Sequence, residues 1–344
     1  MNLKSLAPAS RSLAPILCLL ALLSLGCGNT GKSPQTGPSS SSPSTAKVTL
    51  VLDFVPNAVH AGIYRALAAG YYRRAHIDLK VVQPGATSDP LSLVDAGRAQ
   101  FGLADGSDVA NEIAKGGDAQ AVMAVAQRPL GGLIALASAH LRSPAQLQGA
   151  TVGVTGVPSD LAVLRTEVRH AGGDPGRVRI LTVGFDGAQA LLAGRLTAFT
   201  GFIPADGVQV RSAGHPITAF ALDENGGPGY PGLVAFTTRR EAGAAPDLVR
   251  RFVAATVHGY EDTLRDPRRS LADLLRLNPS LDRRFTAASL AVYLPLFDER
   301  GRVPFGTLRA ARIAQLSRWM VQNRLIAAPI APARYGTDVF LPGR

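Results

Sequence analysis

The segment from Asp53 to Tyr64 contains the polar and aromatic side chains best suited to binding a small molecule. It follows an apolar strand predicted over Val48–Leu52 and leads into a helix that should end at Gly70. Pro56 disfavours helix at the residue before it, and Asn57 is a good N-cap, so the helix should begin at Asn57. A carboxylate and an aromatic ring at the carboxyl end of a strand, beside the start of a helix, are typical of a small-molecule site.

The spacing of residues predicts two different faces for this helix. Asn57, His60 and Tyr64 are separated by three and four positions and therefore share one face. The other face is apolar and consists of Val59, Ile63, Ala66 and Leu67. An ordinary turn with a capping Asn, a packed Phe and a surface Tyr explains the local pattern equally well.

Strands and helices alternate along the chain from residue 46, which predicts sheets of mostly parallel strands covered by helices. The first series has strands at 48–52, 77–82, 101–104 and 121–126, with helices at 57–69, 90–96 and 108–115. The second has strands at 151–154, 178–183, 198–203 and 216–222, with helices capped by Ser159 and Asp186.

Two such series indicate an α/β protein with two lobes. We expect lobe 1 to comprise residues 47–137 and 232–344, and lobe 2 to comprise residues 138–231, with chain crossings near Ala135–His140 and Leu222–Phe236. Helices predicted at 246–265, 267–276, 286–297 and 306–324 should pack on lobe 1 and bury Phe252, Tyr293 and Trp319.

Composition narrows the function classes. The 344-residue chain is 46% hydrophobic and carries a formal charge of +11, or +9 once residues 1–26, with Lys4 and Arg11, are removed. Its basic residues are dispersed as Arg pairs without interleaved aromatic residues, which favours solvated helix faces over a nucleic-acid groove. Both cysteines, Cys18 and Cys27, lie near the N-terminus, and the histidines are scattered, so neither a disulfide nor a metal site is predicted.

The N-terminal residues are typical of an export signal. An apolar run from about Ala14 to Leu25 is too short to span a bilayer comfortably. Ser24-Leu25-Gly26-Cys27 resembles a bacterial lipobox, with Ser where Leu is expected. We predict a signal peptide at 1–26 and, at 27–46, a lipidated Cys27 followed by a flexible linker. A secreted protein cleaved elsewhere is the alternative.

Candidate residues come from the rule that ligands bind outside the carboxyl ends of strands in open α/β sheets. The selected positions are Asp53, Phe54 and Asp105–Asp108 in lobe 1, and Thr155–Ser159, Asp186 and Phe202–Asp206 in lobe 2. Asp53 is the strongest, because a carboxylate that ends an apolar strand is costly to bury without a partner. Asp108 and Asp186 are better explained as helix caps, and Thr155 and Ser159 are explained equally well as turn residues.

The segment Asp53-Phe54-Val55-Pro56-Asn57-Ala58-Val59-His60-Ala61-Gly62-Ile63-Tyr64 resembles the Asp-Trp-x-Pro-Asn-x-x-His-x-Gly-Leu/Ile-Tyr signature of the NMT1/THI5-like substrate-binding proteins. The resemblance covers nearly all of the chain after the leader. It continues through Gly70–Tyr72, Gly102–Ser107, Thr151–Pro158, Ala190–Asp206, Gly229–Val234 and Trp319–Leu341.

This resemblance implies a two-lobed periplasmic-binding-protein-like fold that closes on its ligand by a hinge motion. It further implies a monomeric, lipid-anchored component of an ABC importer of thiamine pyrimidine precursors, with a permease partner, no nucleic acid, no cofactor and no catalytic residue. The ligand-binding residues expected on this basis are Asp53, Phe54, Asn57, His60, Tyr64, Asp105, Ser107, Thr155, Ser159, Phe202, Asp206 and Tyr230. The acids would accept hydrogen bonds from an aminopyrimidine, and the rings would stack on it.

Departures from the family pattern keep other cargoes open. Phe54 stands where Trp is common, and Gly201–Gly207 aligns with Gly-Tyr-Trp-Asn-Trp-Glu-Gly but lacks both Trp residues and the Asn. A less aromatic pocket also suits a flavin, and relatives with this fold bind sulfonate, nitrate, taurine or an amine. Some fungal members instead synthesise the pyrimidine, using a histidine and a Cys-rich motif. This chain has no cysteine after Cys27, and the matching region around Gly106-Ser107-Asp108 has no histidine. Two acids that face the ligand would also disfavour an anionic cargo.

Overall fold

Two mixed sheets organise the described residues of this computed structural model, which are 44–84, 90–156 and 158–343. The strands found there are β1 (Ala46–Val51), β2 (Ile77–Val82), β3 (Phe101–Ala104), β4 (Ala119–Ala126), β5 (Gly131–Leu136), β6 (Thr151–Val154), β7 (Arg179–Thr182), β8 (Ala198–Phe202), β9 (Ile217–Ala221) and β10 (Leu233–Thr238). The first sheet has the order β2-β1-β3-β10-β4, and the second has the order β7-β6-β8-β5-β9.

Each sheet combines parallel and antiparallel pairs. In the first, β1 runs parallel to β2 and β3, whereas β10 is antiparallel to both β3 and β4. In the second, β6 runs parallel to β7 and β8, whereas β5 is antiparallel to β8 and β9. Every residue of β3 and β10 is buried, as expected of central strands covered on both faces.

Thirteen α-helices in the described ranges cover these sheets. They are α1 (Ala61–Ala69), α2 (Tyr71–Arg74), α3 (Pro90–Asp95), α4 (Gly106–Ala114), α5 (Pro158–His170), α6 (Gly187–Leu192), α7 (Val208–Ser212), α8 (Arg239–Ala244), α9 (Pro246–Arg265), α10 (Pro267–Leu277), α11 (Arg283–Phe297), α12 (Ala310–Gln322) and α13 (Pro332–Tyr335). Below, lobe 1 is the first sheet with α1–α4 and α8–α13, and lobe 2 is the second sheet with α5–α7.

The first chain crossing lies earlier than the sequence indicated. Because β5 pairs with β8 and β9, the chain passes from the first sheet to the second at residues 127–130, not near Ala135–His140. The predicted lobe boundary after residue 137 therefore places β5 in the wrong lobe. The return crossing lies between β9 and β10, at 222–232, within the predicted Leu222–Phe236 segment.

Helix α1 is buried on both of its predicted faces. It packs between α9 and α10, so His60 is fully buried and Tyr64 is only 6% exposed. The approach to α9 is close, since a Cβ on Gly259 would lie 2.1 Å from the carbonyl oxygen of Gly62. The expected polar face of this helix is thus wrong, whereas the expected burial of Phe252, Tyr293 and Trp319 is confirmed.

The helix starts agree with the sequence in part. Asn57 caps a 3₁₀ turn, Ala58–His60, that leads into α1, and Gly70 ends that helix in the left-handed region with φ 73°. Ser159 is not a cap, because α5 already begins at Pro158. Asp105, and not Asp108, caps α4.

Asp186 occupies the N-cap position of α6, but its side chain makes no capping hydrogen bond. The predicted signal peptide, Cys27 and the linker up to residue 43 lie outside the described residues. No helix within the described ranges is long and apolar enough to cross a bilayer.

Candidate functional site

Asp53 follows β1 and is fixed by a histidine from the next turn of chain. Nε2 of His60 donates to Oδ1 of Asp53 at 2.8 Å, and Nδ1 of His60 accepts the Asn57 main-chain N–H at 3.1 Å. Because Nδ1 accepts a hydrogen bond, the ring proton that serves Asp53 lies on Nε2. The carboxylate keeps 15% of its side-chain surface exposed, whereas His60 has none.

Asn57 and His60, both predicted to touch the ligand, have their polar atoms occupied by protein. Asn57 Oδ1 accepts the Val59 N–H at 2.9 Å, and its Nδ2 donates to the Val55 carbonyl at 3.1 Å. Together with the His60 contacts this forms a capping box. These hydrogen bonds hold the turn that follows Asp53 and bind the Asp53 carboxylate to His60.

Asp206 is the corresponding acid of lobe 2. It lies in the π-helical turn Ile203–Gly207 after β8, and its Oδ2 accepts the Phe202 main-chain N–H at 2.7 Å. A Cβ at Gly201 would lie 2.7 Å from that same oxygen, so only glycine lets the carboxylate fold back here. Burial raises the pKa of Asp206, and the charge of Asp160 raises it further, against the lowering effect of the Phe202 N–H.

Asp160, which the sequence analysis did not select, lies in the first turn of α5. It accepts the main-chain N–H of Thr155 at 2.7 Å and the Thr155 hydroxyl at 2.5 Å. Burial raises the pKa of Asp160, while hydrogen bonds from Thr155 and Thr200 lower it. An acid in the first turn of a helix after a strand was the available signal.

Helix α11 carries a side chain, Tyr293, that lies near both candidate acids, Asp53 and Asp206. Burial raises the pKa of the Tyr293 hydroxyl far above its ordinary value, and the charges of Asp53 and Asp206 raise it further. Ser289, one turn earlier, donates to the Pro204 carbonyl at 2.6 Å. Acids from both lobes thus lie within electrostatic range of one buried hydroxyl.

Two exposed rings meet between the lobes. Phe54, next to Asp53, is 46% exposed, and Phe185, from the turn between β7 and α6, is 79% exposed. Their centroids lie 5.7 Å apart with the planes tilted by 42°. Phe202, beside Asp206, is 36% exposed. Phe185 was not predicted, although it follows β7 as the predicted Asp186 does and the same strand-end rule applied to it.

A second group of predicted residues is buried where β3 meets the return crossing. Asp105 accepts the Ser107 N–H and the Ser107 hydroxyl, each at 2.7 Å, and the Tyr230 hydroxyl lies near enough to lower its pKa. Burial, and then the charge of Asp108, raise that pKa well above the ordinary range. A Cβ at Gly106 would lie 2.2 Å from the Pro231 carbonyl oxygen, so the space here is filled by protein.

Two predicted residues lie apart from both groups. Tyr64 is part of the lobe 1 core, where burial raises its pKa and the side chain of Asn278 lowers it. Ser159 is half-buried in the first turn of α5. Within the described part of the chain, no three His, Cys, Asp or Glu side chains are grouped to hold a metal ion.

Relatives with known names match most of this chain. Residues 57–270 match the family described as NMT1/THI5 like. A formylaminopyrimidine-binding protein from Halalkalibacterium halodurans is 30% identical over 325 residues, which cover 93% of this chain and 96% of that protein. The riboflavin-binding protein RibY of Chloroflexus aurantiacus is 25% identical, with coverages of 94% and 96%. A 4-amino-5-hydroxymethyl-2-methylpyrimidine phosphate synthase of Legionella pneumophila is 26% identical, with coverages of 69% and 75%.

Solved structures resemble the fold. The alkanesulfonate-binding protein SsuA from Xanthomonas axonopodis pv. citri, bound to MOPS, superposes with a TM-score of 0.66 at 17% identity, covering 86% of this chain and 99% of that one. At this identity the likeness concerns the fold alone. It confirms the predicted two-lobed periplasmic-binding-protein fold.

Proposed function

Because the chain belongs to the NMT1/THI5-like family, we propose that it is the solute-binding component of an ABC importer and delivers a small planar heterocycle to a permease. The observation that carries the proposal is the pairing of acids and rings between the lobes. Phe54, next to Asp53, contacts Phe185 of lobe 2, and Asp53 and Asp206 both lie near enough to Tyr293 to raise the pKa of its hydroxyl. Flat rings with polar edges suit such a site, which lies at strand ends as ligand sites of α/β proteins do.

An aminopyrimidine matches the chemistry of these side chains. Ring N–H and amino groups donate to carboxylates, and hydrogen bonds to a charged acceptor are stronger than neutral ones. The ring faces would lie between Phe54 and Phe185, whose centroids must move apart from 5.7 Å to admit a ligand between them. The relative named for binding formylaminopyrimidine supports this ligand class.

A flavin is the second candidate, on the strength of one specific feature. Ile203 and Pro204 follow Phe202 where the family pattern has bulky Trp and polar Asn, which leaves less aromatic surface near Asp206. A relative named for riboflavin matches the chain over nearly its full length. An isoalloxazine also offers N–H donors and an extended flat face.

Anionic cargo and catalysis have weaker support. A sulfonate would face Asp53, Asp160 and Asp206, and uncompensated like charge is unfavourable. A synthase that consumes its own histidine is disfavoured because the matching region around Gly106-Ser107-Asp108 contains no histidine. No cysteine follows Cys27 in the chain.

The leader supports export and membrane attachment. We propose that the chain is cleaved before Cys27, lipidated there, and held at the membrane by the linker, facing the periplasm or cell exterior as a monomer. In cell fractionation, Cys27→Ala should move the protein from the membrane fraction to the soluble fraction. Equal membrane association of the variant would remove the lipid anchor from the proposal.

The ligand assignment is tested by calorimetric titration of the purified protein with formylaminopyrimidine, hydroxymethylpyrimidine, riboflavin and MOPS. Saturable binding of a pyrimidine, with little heat from MOPS, is the expected result. Tighter binding of riboflavin would replace the pyrimidine by the second candidate. Binding of MOPS alone, or turnover of any pyrimidine precursor, would overturn the proposal. Mass spectrometry of small molecules released from the protein gives an independent identification.

A further inference from the structure

A separate cavity of about 470 Å³ lies beside the two chain crossings. The candidate residues Asp53, Phe54, Phe185 and Asp206 do not line it. Its wall is formed by the end of α11 and by charged side chains from four segments, namely Arg128, Asp223, Glu299, Arg300, Arg302 and Arg312.

The carboxylates of this cavity are already paired with arginines. Asp223 accepts two hydrogen bonds from Arg128, at 2.6 and 2.9 Å. Glu299 pairs with Arg312 at 2.5 Å and also with Arg309. Acidic groups in the wall therefore have their charge compensated without using Arg300 or Arg302.

Arg300 and Arg302 supply the excess positive charge. Both are exposed, and among residues 44–84, 90–156 and 158–343 no carboxylate lies within ion-pair distance of either. Their positions depend on an unusual turn, in which Glu299 and Arg300 adopt φ of 53° and 62° and Gly301 follows at 79°. Left-handed backbone costs a non-glycine residue roughly 1 kcal/mol or more, so two in succession indicate a constraint on this turn.

We propose that this cavity binds a divalent tetrahedral oxyanion, sulfate or hydrogen phosphate, between the guanidinium groups of Arg300 and Arg302. Planar guanidinium groups bind such oxygens in pairs, and two uncompensated positive charges match a charge of −2. Arg128 and Arg312, already paired, add positive potential behind them. The bound anion would lie against both connections between the lobes, since Arg128 belongs to the first crossing and Asp223 to the second.

Calorimetric titration with sodium sulfate, against sodium chloride of equal ionic strength, tests the site in the full-length protein. We expect saturable sulfate binding that the double variant Arg300→Gln/Arg302→Gln weakens about tenfold or more, the scale of one or two lost charged hydrogen bonds. Parallel titrations with phosphate and with a simple phosphate monoester distinguish a free anion from a phosphorylated metabolite. Tighter binding of the monoester than of sulfate or phosphate would identify the ligand as a phosphorylated metabolite bound through its phosphate group.

The matched control is Arg268→Gln/Arg269→Gln, an exposed arginine pair on α10 that removes the same charge. Sulfate affinity should be unchanged in the control and in Asp53→Asn. An equal loss in the control, or unchanged sulfate binding in the Arg300/Arg302 variant, would overturn the proposal. Because Asp53 and Asp206 are not involved, failure of this test leaves the heterocycle assignment unaffected, and the reverse also holds.

Discussion

Acidic side chains in the two lobes have different partners. In lobe 1, Asp53 is held by His60, while Asp262 and Asp273 both bind Arg65 at 2.9 Å. Burial raises the pKa of Asp262, but hydrogen bonds from Tyr71 and two arginines outweigh it, and the net shift is downward. Basic partners thus favour the charged form of Asp262.

In lobe 2, the buried acids lack basic partners among the described residues. Asp160 and Asp206 are bound by main-chain N–H groups and hydroxyls, and burial raises the pKa of both. Glu167 on α5 is fully buried, and neither of its oxygens has a hydrogen-bond partner in the described part of the chain. Burial raises its pKa to about 9, although the Leu133 N–H lies near enough to lower it.

The difference teaches that burial alone does not set the charge of an acid. In lobe 2 the carboxyl groups contact main-chain N–H groups and hydroxyls, whose dipoles compensate a negative charge only in part. In lobe 1 most of their partners are Arg or His side chains. Asp105 is the exception in lobe 1, since its partners are hydroxyls and an N–H. Apart from Asp105, the acids that respond to pH should therefore lie mainly in lobe 2.

The largest expected effect is on the stability of lobe 2. Glu167 holds its proton in the folded state up to about pH 9, whereas a free glutamic acid loses it near 4.5. Between these values the folded state binds more protons than the unfolded state, so the free energy of unfolding falls as pH rises, by up to about 1.4 kcal/mol per unit. Glu167→Gln should abolish this decrease in the free energy of unfolding, which amounts to a few kcal/mol between pH 5 and pH 8. Urea unfolding measured at each pH tests the prediction.

Glu261→Gln on α9 is the control, because Glu261 is exposed. It should unfold with the same pH dependence as the wild-type protein. If the free energy of unfolding of Glu167→Gln changed with pH as it does in the wild-type protein, the carboxyl of Glu167 would be charged in the folded state. Glu167 would then no longer support the contrast between the lobes.

The next largest expected effect is on ligand affinity, when Asp53 or Asp206 is replaced. Asp53→Asn and Asp206→Asn should each weaken ligand binding about tenfold or more, since each removes a charged acceptor. Asp247→Asn, an 88% exposed acid on α9, should leave the affinity unchanged. Calorimetry with whichever compound of the titration panel binds most tightly measures all three, and wild-type affinity in both the Asp53 and the Asp206 variant would mean that the ligand binds elsewhere.

The pH dependence of ligand binding should reflect Asp206, which has no basic partner among the described residues. Because the pKa of Asp206 is raised, acidification protonates it early, removes its negative charge, and weakens its contact with an N–H donor. Affinity should therefore fall as pH is lowered, and Asp206→Asn should flatten that profile. A profile that is equally steep in Asp206→Asn would assign the titration to another group.

The smallest expected effects concern the rings. Phe185→Leu and Phe54→Leu keep an apolar contact but lose the aromatic face, which is worth roughly 0.5–1.5 kcal/mol. We expect both to weaken binding of a flat ligand about threefold, within that range. If Phe54→Leu alone weakened binding, the stacking surface would belong to lobe 1 only, and Phe185 would merely cover it.

Local signals predicted where several of the candidate residues lie in the fold. Pro56 and Asn57 fixed the start of the helix, and the strand-end rule selected Asp53 and Asp206, because these features depend on neighbouring residues. The role of Tyr64 was beyond such reasoning, since its burial depends on helices nearly two hundred residues later.

The first crossing shows the same dependence on distant partners. Gly131–Leu136 is an apolar run that fits either lobe, and only its pairing with β8 and β9 decides the question. Asp160 and Phe185 were within reach of the rules used, because both follow strands of lobe 2. The strand-end rule instead selected Asp186 and Ser159, both of which were also predicted to cap helices, and neither side chain does so.

The position of β10 has a consequence for how the protein is made. This strand enters the middle of the first sheet, and β4 reaches that sheet only through it. During synthesis, all residues of lobe 2 emerge before β10. The second sheet can therefore form while β4 still lacks β10, its partner strand in the first sheet. The first sheet, which contains the earliest strands of the chain, is thus the last to gain its finished core.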